Sequence, residues 1–212
     1  MIHRLSRGVI PPKPHTVFEV NGSLCYEHCF TRAGFEAVYT IMWHRTPPHL
    51  VESQEDLGRH PGWAEGVASA PLRRSHHLSS RLGTGDSPFL RRRLLFTNPD
   101  VGVWGGHPTE SEPTLVANAD GDELTFVHEG SGRVECPLGV VPFSAHDYIY
   151  VPQGMPHRFV LERPATLLTM EARSPLRVPK QYRVQDGQLS MYAPYTHHDF
   201  VEPTWPDGGP ES

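Results

Sequence analysis

Two closely spaced blocks constrain this chain more than any other feature of it. The first is NADGDELTFVHEGSGRVECPLG, from Asn118 to Gly139, and the second is HDYIYVPQGMPHRF, from His146 to Phe159. Each sets strand-forming residues between turn formers. Asp120-Gly121 and the Gly130-Ser131-Gly132 step are strong turn signals in the first block, and Pro152-x-Gly154 supplies one in the second. Glu123 to Val127 should then be a strand, with side chains alternating between faces. Whichever face takes Glu123 also takes Thr125 and Val127, while Leu124, Phe126 and His128 take the other. His128 is therefore a poor partner for Glu123 despite its closeness in sequence.

The rest of the chain supports a β protein. RRRLLFTN (Arg91 to Asn98), VGVWGG (Val101 to Gly106) and ATLLTMEAR (Ala165 to Arg173) flank the blocks, and short strands at this spacing argue for a sandwich or jelly roll. Upstream, VFEV (Val17 to Val20), SLCYEHCF (Ser23 to Phe30) and AVYTIMW (Ala37 to Trp43) read as strands, or a strand with a short helix. Pro47-Pro48 then interrupts, because tandem proline cannot continue a ladder. Residues 54–86 are polar and Gly-rich, with Arg73, Arg74, His76, His77 and Arg81 clustered. No Gly-rich loop-to-helix pattern accompanies them, so they read as a solvated connection rather than a phosphate site. The tail from Glu202 to Ser212 has linker composition.

Composition narrows the function classes. Twenty-two prolines and nineteen glycines favour a turn-rich β fold. A formal charge of −5 argues against a nucleic-acid or membrane-surface partner. No apolar run approaches the roughly 20 residues of a membrane span. The start, MIHRLSRGVIPPKPH, shows neither h-region nor cleavage signal, so a cytoplasmic location is expected. Cys25, Cys29 and Cys136 suit reduced thiols. Cys25 and Cys29 form C-x3-C around His28, but no second Cys/His pair follows to close a zinc site.

The two blocks resemble the signature hairpins of a cupin-type β-barrel. Glu123 and Gly130 hold the usual Glu-to-Gly spacing, and Pro152, Gly154 and His157 fill P-x-G-x-x-H. Where such barrels carry H-x-H, this chain has Ala117 and Ala119. The motif returns His157 to the barrel mouth near Glu123, making these two the inward pair. A mononuclear iron site wants two His and one carboxylate with open positions, so Glu123 and His157, the metal candidates, fall short and no metal is expected. A structural pair is, with Glu123 accepting a hydrogen bond from His157. His197-His198-Asp199 has suitable residue types, but neighbours on an extended segment point apart, and a surface or interface role is expected, as for His76-His77. His44 and His49 bracket the Pro-Pro step and read as structural. No catalytic residue is assigned, since no G-x-S-x-G, P-loop or dinucleotide fingerprint occurs.

Over nearly its whole length the chain also resembles the amino-terminal half of homogentisate 1,2-dioxygenases, in particular the shorter bacterial form. The matching stretches are PPKPHTVFEVNGSLCYEH, WHRTPP, RRRLLFTNPDV, the two blocks, and PKQYRVQDGQLSMYAPYTHHDFVEP from Pro179 to Pro203. Members are two-barrel proteins whose Fe(II) is held by two His and one Glu in the second barrel, in H-x5-E and a distant H-G-P. No matching positions occur here, so no iron ligand is carried over. The resemblance implies oxidative ring opening of homogentisate, a small aromatic substrate, to maleylacetoacetate in tyrosine and phenylalanine breakdown. This chain would supply a degenerate barrel that supports the active one and helps build an oligomer.

The expected class is thus all-β: a cupin-like jelly-roll barrel with an N-terminal β-rich extension and few short helices. Residues 1–90 would be the extension with its polar loop near 54–86, residues 91–178 the degenerate barrel, and residues 179–212 the segment leaving it and a linker-like tail. Three functional readings follow. The chain is the scaffold half of a homogentisate dioxygenase; or a stand-alone degenerate cupin that binds a small ligand or acts as an oligomerisation module; or a small metallo-cupin using His157, Glu123 and a recruited His128 or His146. Loss of a partner barrel would expose apolar surface. A homo-oligomer, or a separate chain supplying the second barrel, is the expected partner.

Overall fold

A computed structural model describes residues 17–31, 39–56, 74, 76, 78, 81, 87–90, 92–184 and 188–205. The chain divides into two compact units, Met1–Gly58 with Gly208–Ser212, and Arg59–Asp207.

In the first unit, β1 (Glu19–Val20) and β2 (Ser23–Leu24) form a tight hairpin. Asn21 and Gly22, both at positive φ (53° and 76°), make its turn, the geometry whose twist matches a two-residue hairpin. β3 (Tyr26–Thr31) pairs antiparallel with β4 (Tyr39–His44). The first residues of the AVYTIMW segment lie outside the described residues, as do the PPKPH prolines, Arg73, His77 and most of 54–86.

The second unit is built on one antiparallel sheet. Its strands are β5 (Arg93–Thr97), β6 (Val101–Gly106), β7 (Asp122–Cys136), β8 (Gly139–Phe143), β9 (Tyr148–Val151) and β10 (Arg158–Ala172), in the order β5-β6-β10-β7-β8. β9 and β8 share one edge of β7: β9 takes Glu123 to Phe126 and β8 takes Gly132 to Cys136. The all-β class expected from sequence is observed, and helical structure among the described residues is confined to 3-10 turns such as Lys180–Tyr182 and His197–Asp199. The alternation in β7 also holds: Glu123, Thr125 and Val127 are buried, while Leu124 and Phe126 are half-buried and His128 is exposed.

Two expectations are corrected. Gly130-Ser131-Gly132 is not a turn but lies inside the continuous β7, and the hairpin to β8 turns instead at Pro137-Leu138. The glycines serve a bend. β10 loses register opposite them, between Leu161 and Leu167, and Gly130 at φ +102° lets that strand come so close that a Cβ would sit 2.6 Å from Ala165 Cα. Nor is the tail linker-like as far as Trp205, because Thr204 exchanges backbone hydrogen bonds of 2.9 and 2.8 Å with Val140 on β8.

The core between the sheet's inner faces holds Trp104, Val127, Val134, Phe143, Val151, Phe159 and Leu167. It also holds an unusual set of buried polar side chains: Arg92, Asn118, Glu123, His157 and Glu171.

Candidate functional site

Register creates the problem that the site solves. Glu123 on β7 and Glu171 on β10 are direct cross-strand partners, both inward, at 2% and 5% exposure. Like charges placed opposite each other destabilise a sheet, and buried carboxylates need a counter-charge. Arg92, just before β5, supplies it. One guanidinium nitrogen lies 2.6 Å from Glu123 Oε1 and the other 3.1 Å from Glu171 Oε2. The cation is held over the rings of Phe89 and Trp104, 4.4 and 4.8 Å from their centroids, a geometry that attracts it to their electron-rich faces. Glu112 accepts the backbone N–H groups of Phe89 and Leu90 and so fixes that approach.

Asn118 locks the same carboxylates from another side. Its side-chain amide donates to Glu123 Oε1 (3.0 Å) and Glu171 Oε1 (2.7 Å). Its own oxygen accepts from the backbone of Asp120 and Gly121, which orients the amide. Its carbonyl accepts from Gly154 N–H at 2.7 Å, and Gly154 makes the Pro152 turn at φ +77°. The two sequence blocks therefore meet at Asn118.

His157 is fully buried and tied to Val116 by two 2.8 Å backbone hydrogen bonds. Its Nδ1 lies 3.0 Å from the Met155 carbonyl, which only accepts, so Nδ1 carries a proton. The expected hydrogen bond to Glu123 is corrected: Nε2 stands 3.6 Å from Glu123 Oε2, beyond hydrogen-bond reach, and has no hydrogen-bond partner. The inward pair is adjacent but not bonded, because Glu123 is drawn toward Arg92 and Asn118.

This donor set does not fit the Fe(II) that the resemblance implies. One Glu123 oxygen already takes a guanidinium and an amide. The remainder is one carboxylate oxygen and one imidazole nitrogen, with alanines at 117 and 119, against the two His and one carboxylate iron requires. Among the described residues no group of three or more His, Cys, Asp or Glu is arranged to hold a metal ion. The recruited histidines of the metallo-cupin reading are not brought in either: His128 and His146 are both exposed.

Other singled-out residues lie elsewhere. His197-His198-Asp199 forms a 3-10 turn rather than an extended run, with the two imidazoles 3.9 Å apart, and Asp199 is spent capping Thr196. In the first unit His28 Nδ1 approaches His44 Nε2 to 3.2 Å, and burial together with His28 holds His44 below its ordinary pKa. His49 and His76 are exposed. The three cysteines are free, and burial pushes the Cys136 thiol up. No described helix is long and apolar enough to cross a membrane.

Sequence reasoning missed Arg92, Asn118 and Glu171. A signal existed for two of them. Glu171 shares the face of Leu167 and Thr169 in an apolar strand, and a charge at an inward position demands a buried cation.

Over 205 residues, 96% of the chain, the sequence is 30% identical to a Saccharolobus solfataricus protein named "Putative dioxygenase". That match covers 52% of the relative, so the chain spans about half the length of the curated relative it matches. No family model matches the chain. Among solved structures, a cupin-2 domain containing protein from Shewanella frigidimarina aligns with 39% of this chain and 79% of its own, at 18% identity and a TM-score of 0.35. An RmlC-like cupin protein from Desulfovibrio desulfuricans aligns with 48% of this chain and 98% of its own, at 19% identity and a TM-score of 0.39.

Proposed function

We propose that this chain is the scaffold barrel of a homogentisate 1,2-dioxygenase-type ring-cleaving enzyme, with an internal arginine paired to the glutamate that the cupin motif would offer a metal. The observation that carries the reading is Arg92 bridging the facing pair Glu123 and Glu171. It neutralises the carboxylate that a metal would need and braces β7 against β10. The 30% identity to a protein named as a dioxygenase supports the reaction class. The sequence blocks shared with homogentisate dioxygenases support the substrate. On this reading Fe(II), oxygen and homogentisate meet on a second barrel, and these residues keep the first one rigid beneath it.

Homogentisate-dependent oxygen uptake by the purified chain, supplied with Fe(II) and ascorbate, tests this. The expected result is no uptake above the protein-free control. Turnover that is lost in Glu123→Gln or His157→Ala would place the catalytic iron in this barrel and overturn the reading.

A further inference from the structure

The outer face of the sheet, opposite the ion cluster, carries two complete cross-strand rows. One runs Arg93–Gly105–Leu168–Phe126–Tyr148 across β5, β6, β10, β7 and β9; the next runs Phe96–Val103–Met170–Leu124–Tyr150. Phe96 and Tyr148 are each 64% exposed, Tyr150 47% and Leu168 38%. The Phe126 and Tyr148 rings pack 4.9 Å apart, extending the aromatic surface. A contiguous face of this kind is uncommon on a monomer and marks an interaction site. Arg93, at one end, is the only Lys, Arg, Asp or Glu in the two rows.

We infer that this face joins two copies of this chain, stacked sheet on sheet about a two-fold axis running along β10. The rows are uneven. β7 is bulky, with Phe126 and Leu124, whereas β6 offers only Gly105 and Val103. The outer strands both carry large side chains, Tyr148 and Tyr150 on β9 and Arg93 and Phe96 on β5. A two-fold along the central strand lays the bulky β7 of one copy over the thin β6 of the other, and β9 over β5. Phe126 then covers the partner's Gly105, and Leu124 covers the partner's Val103. Leu168 and Met170 meet their own counterparts near the axis. Arg93 lies over the partner's Tyr148, so the one charge in the rows meets an aromatic face rather than a like charge. A two-fold running across the strands would instead set bulk against bulk and gap against gap. Such an interface is isologous and closes at two, with aligned sheets packed at the usual spacing. The face is distinct from the Arg92 cluster, which lies on the other side of the sheet.

Sedimentation equilibrium of the full chain should give twice its 23.8 kDa mass. Leu168→Arg sets like charges together at the axis and should raise the dimer dissociation constant at least ~100-fold. Arg93→Glu should weaken the dimer and Tyr148→Lys added to it should restore it, because those positions face each other; both are exposed, so the pair stays informative if Leu168→Arg fails to fold. With a short bis-maleimide, Tyr148→Cys should link to Arg93→Cys in a mixture but not to itself, above the background of the native thiols. A monomeric wild type at tens of micromolar would overturn the inference and leave the face to a different partner. So would a dimer indifferent to Arg93→Glu, or self-linking of Tyr148→Cys.

Discussion

At Arg92 one side chain answers several demands at once: it separates two carboxylates that the sheet register forces together, fills the space between Phe89 and Trp104, and leaves Glu123 with a single oxygen facing His157. Its role was only partly legible. Three consecutive arginines, Arg91 to Arg93, look alike in sequence, and strand alternation alone decides that Arg92 and Arg93 face opposite ways. Which of the two faces is inward depends on β6 and β10, far away in sequence. His157 was placed correctly beside Glu123 by the motif. The absence of a hydrogen bond between them was not foreseeable, since the competing donors on Arg92 and Asn118 come from other segments. A second residue-scale effect concerns His44, whose pKa is depressed from 6.5 by burial and then by His28. A histidine depressed in the folded state favours its neutral form there. It contributes stability that is complete above pH 6.5 and is lost as pH falls through the lower folded value. Thermal melts between pH 7.5 and 5 should therefore fall with acid, and His44→Gln should flatten part of that slope. An unchanged slope in the variant would remove His44 as the cause.

Among the elements, the long pair β7–β10 organises everything else, and its bend depends on Gly130. Substituting alanine there forces a side chain into φ +102° and against Ala165 and the Pro164 carbonyl. Gly130→Ala should cost about 2 kcal/mol or more in urea unfolding, whereas Gly154→Ala, with open space at its Cβ, should cost less. Equal costs would mean that positive φ alone, not the close approach of β10, sets the requirement. The strands themselves could be read from alternation and from β-branched and aromatic content: β5 and β6 fall inside the segments so marked, whereas β10 begins at Arg158, seven residues before the segment marked from Ala165. The bend could not. Gly-Ser-Gly is equally compatible with a turn and with a bulge, and what decides is the register of a partner strand some thirty residues later. The same limit explains the tail: Pro and Gly signal a linker locally, while Thr204 docks on β8 through backbone atoms that composition does not reveal.

For the whole molecule, the buried face of the sheet carries its own balanced charges, Arg92 between Glu123 and Glu171. A buried ion triad of this type contributes little net stability compared with apolar packing, yet removal of one member strands the others. The most direct test is equilibrium urea unfolding of Arg92→Met beside the triple variant Arg92→Met, Glu123→Gln, Glu171→Gln. The single change should destabilise by about 3–5 kcal/mol, because two facing carboxylates lose their cation. The triple should recover most of that loss. A single variant within about 0.5 kcal/mol of wild type, the range of an ordinary surface substitution, would contradict Arg92 as the cation that holds β7 and β10 together.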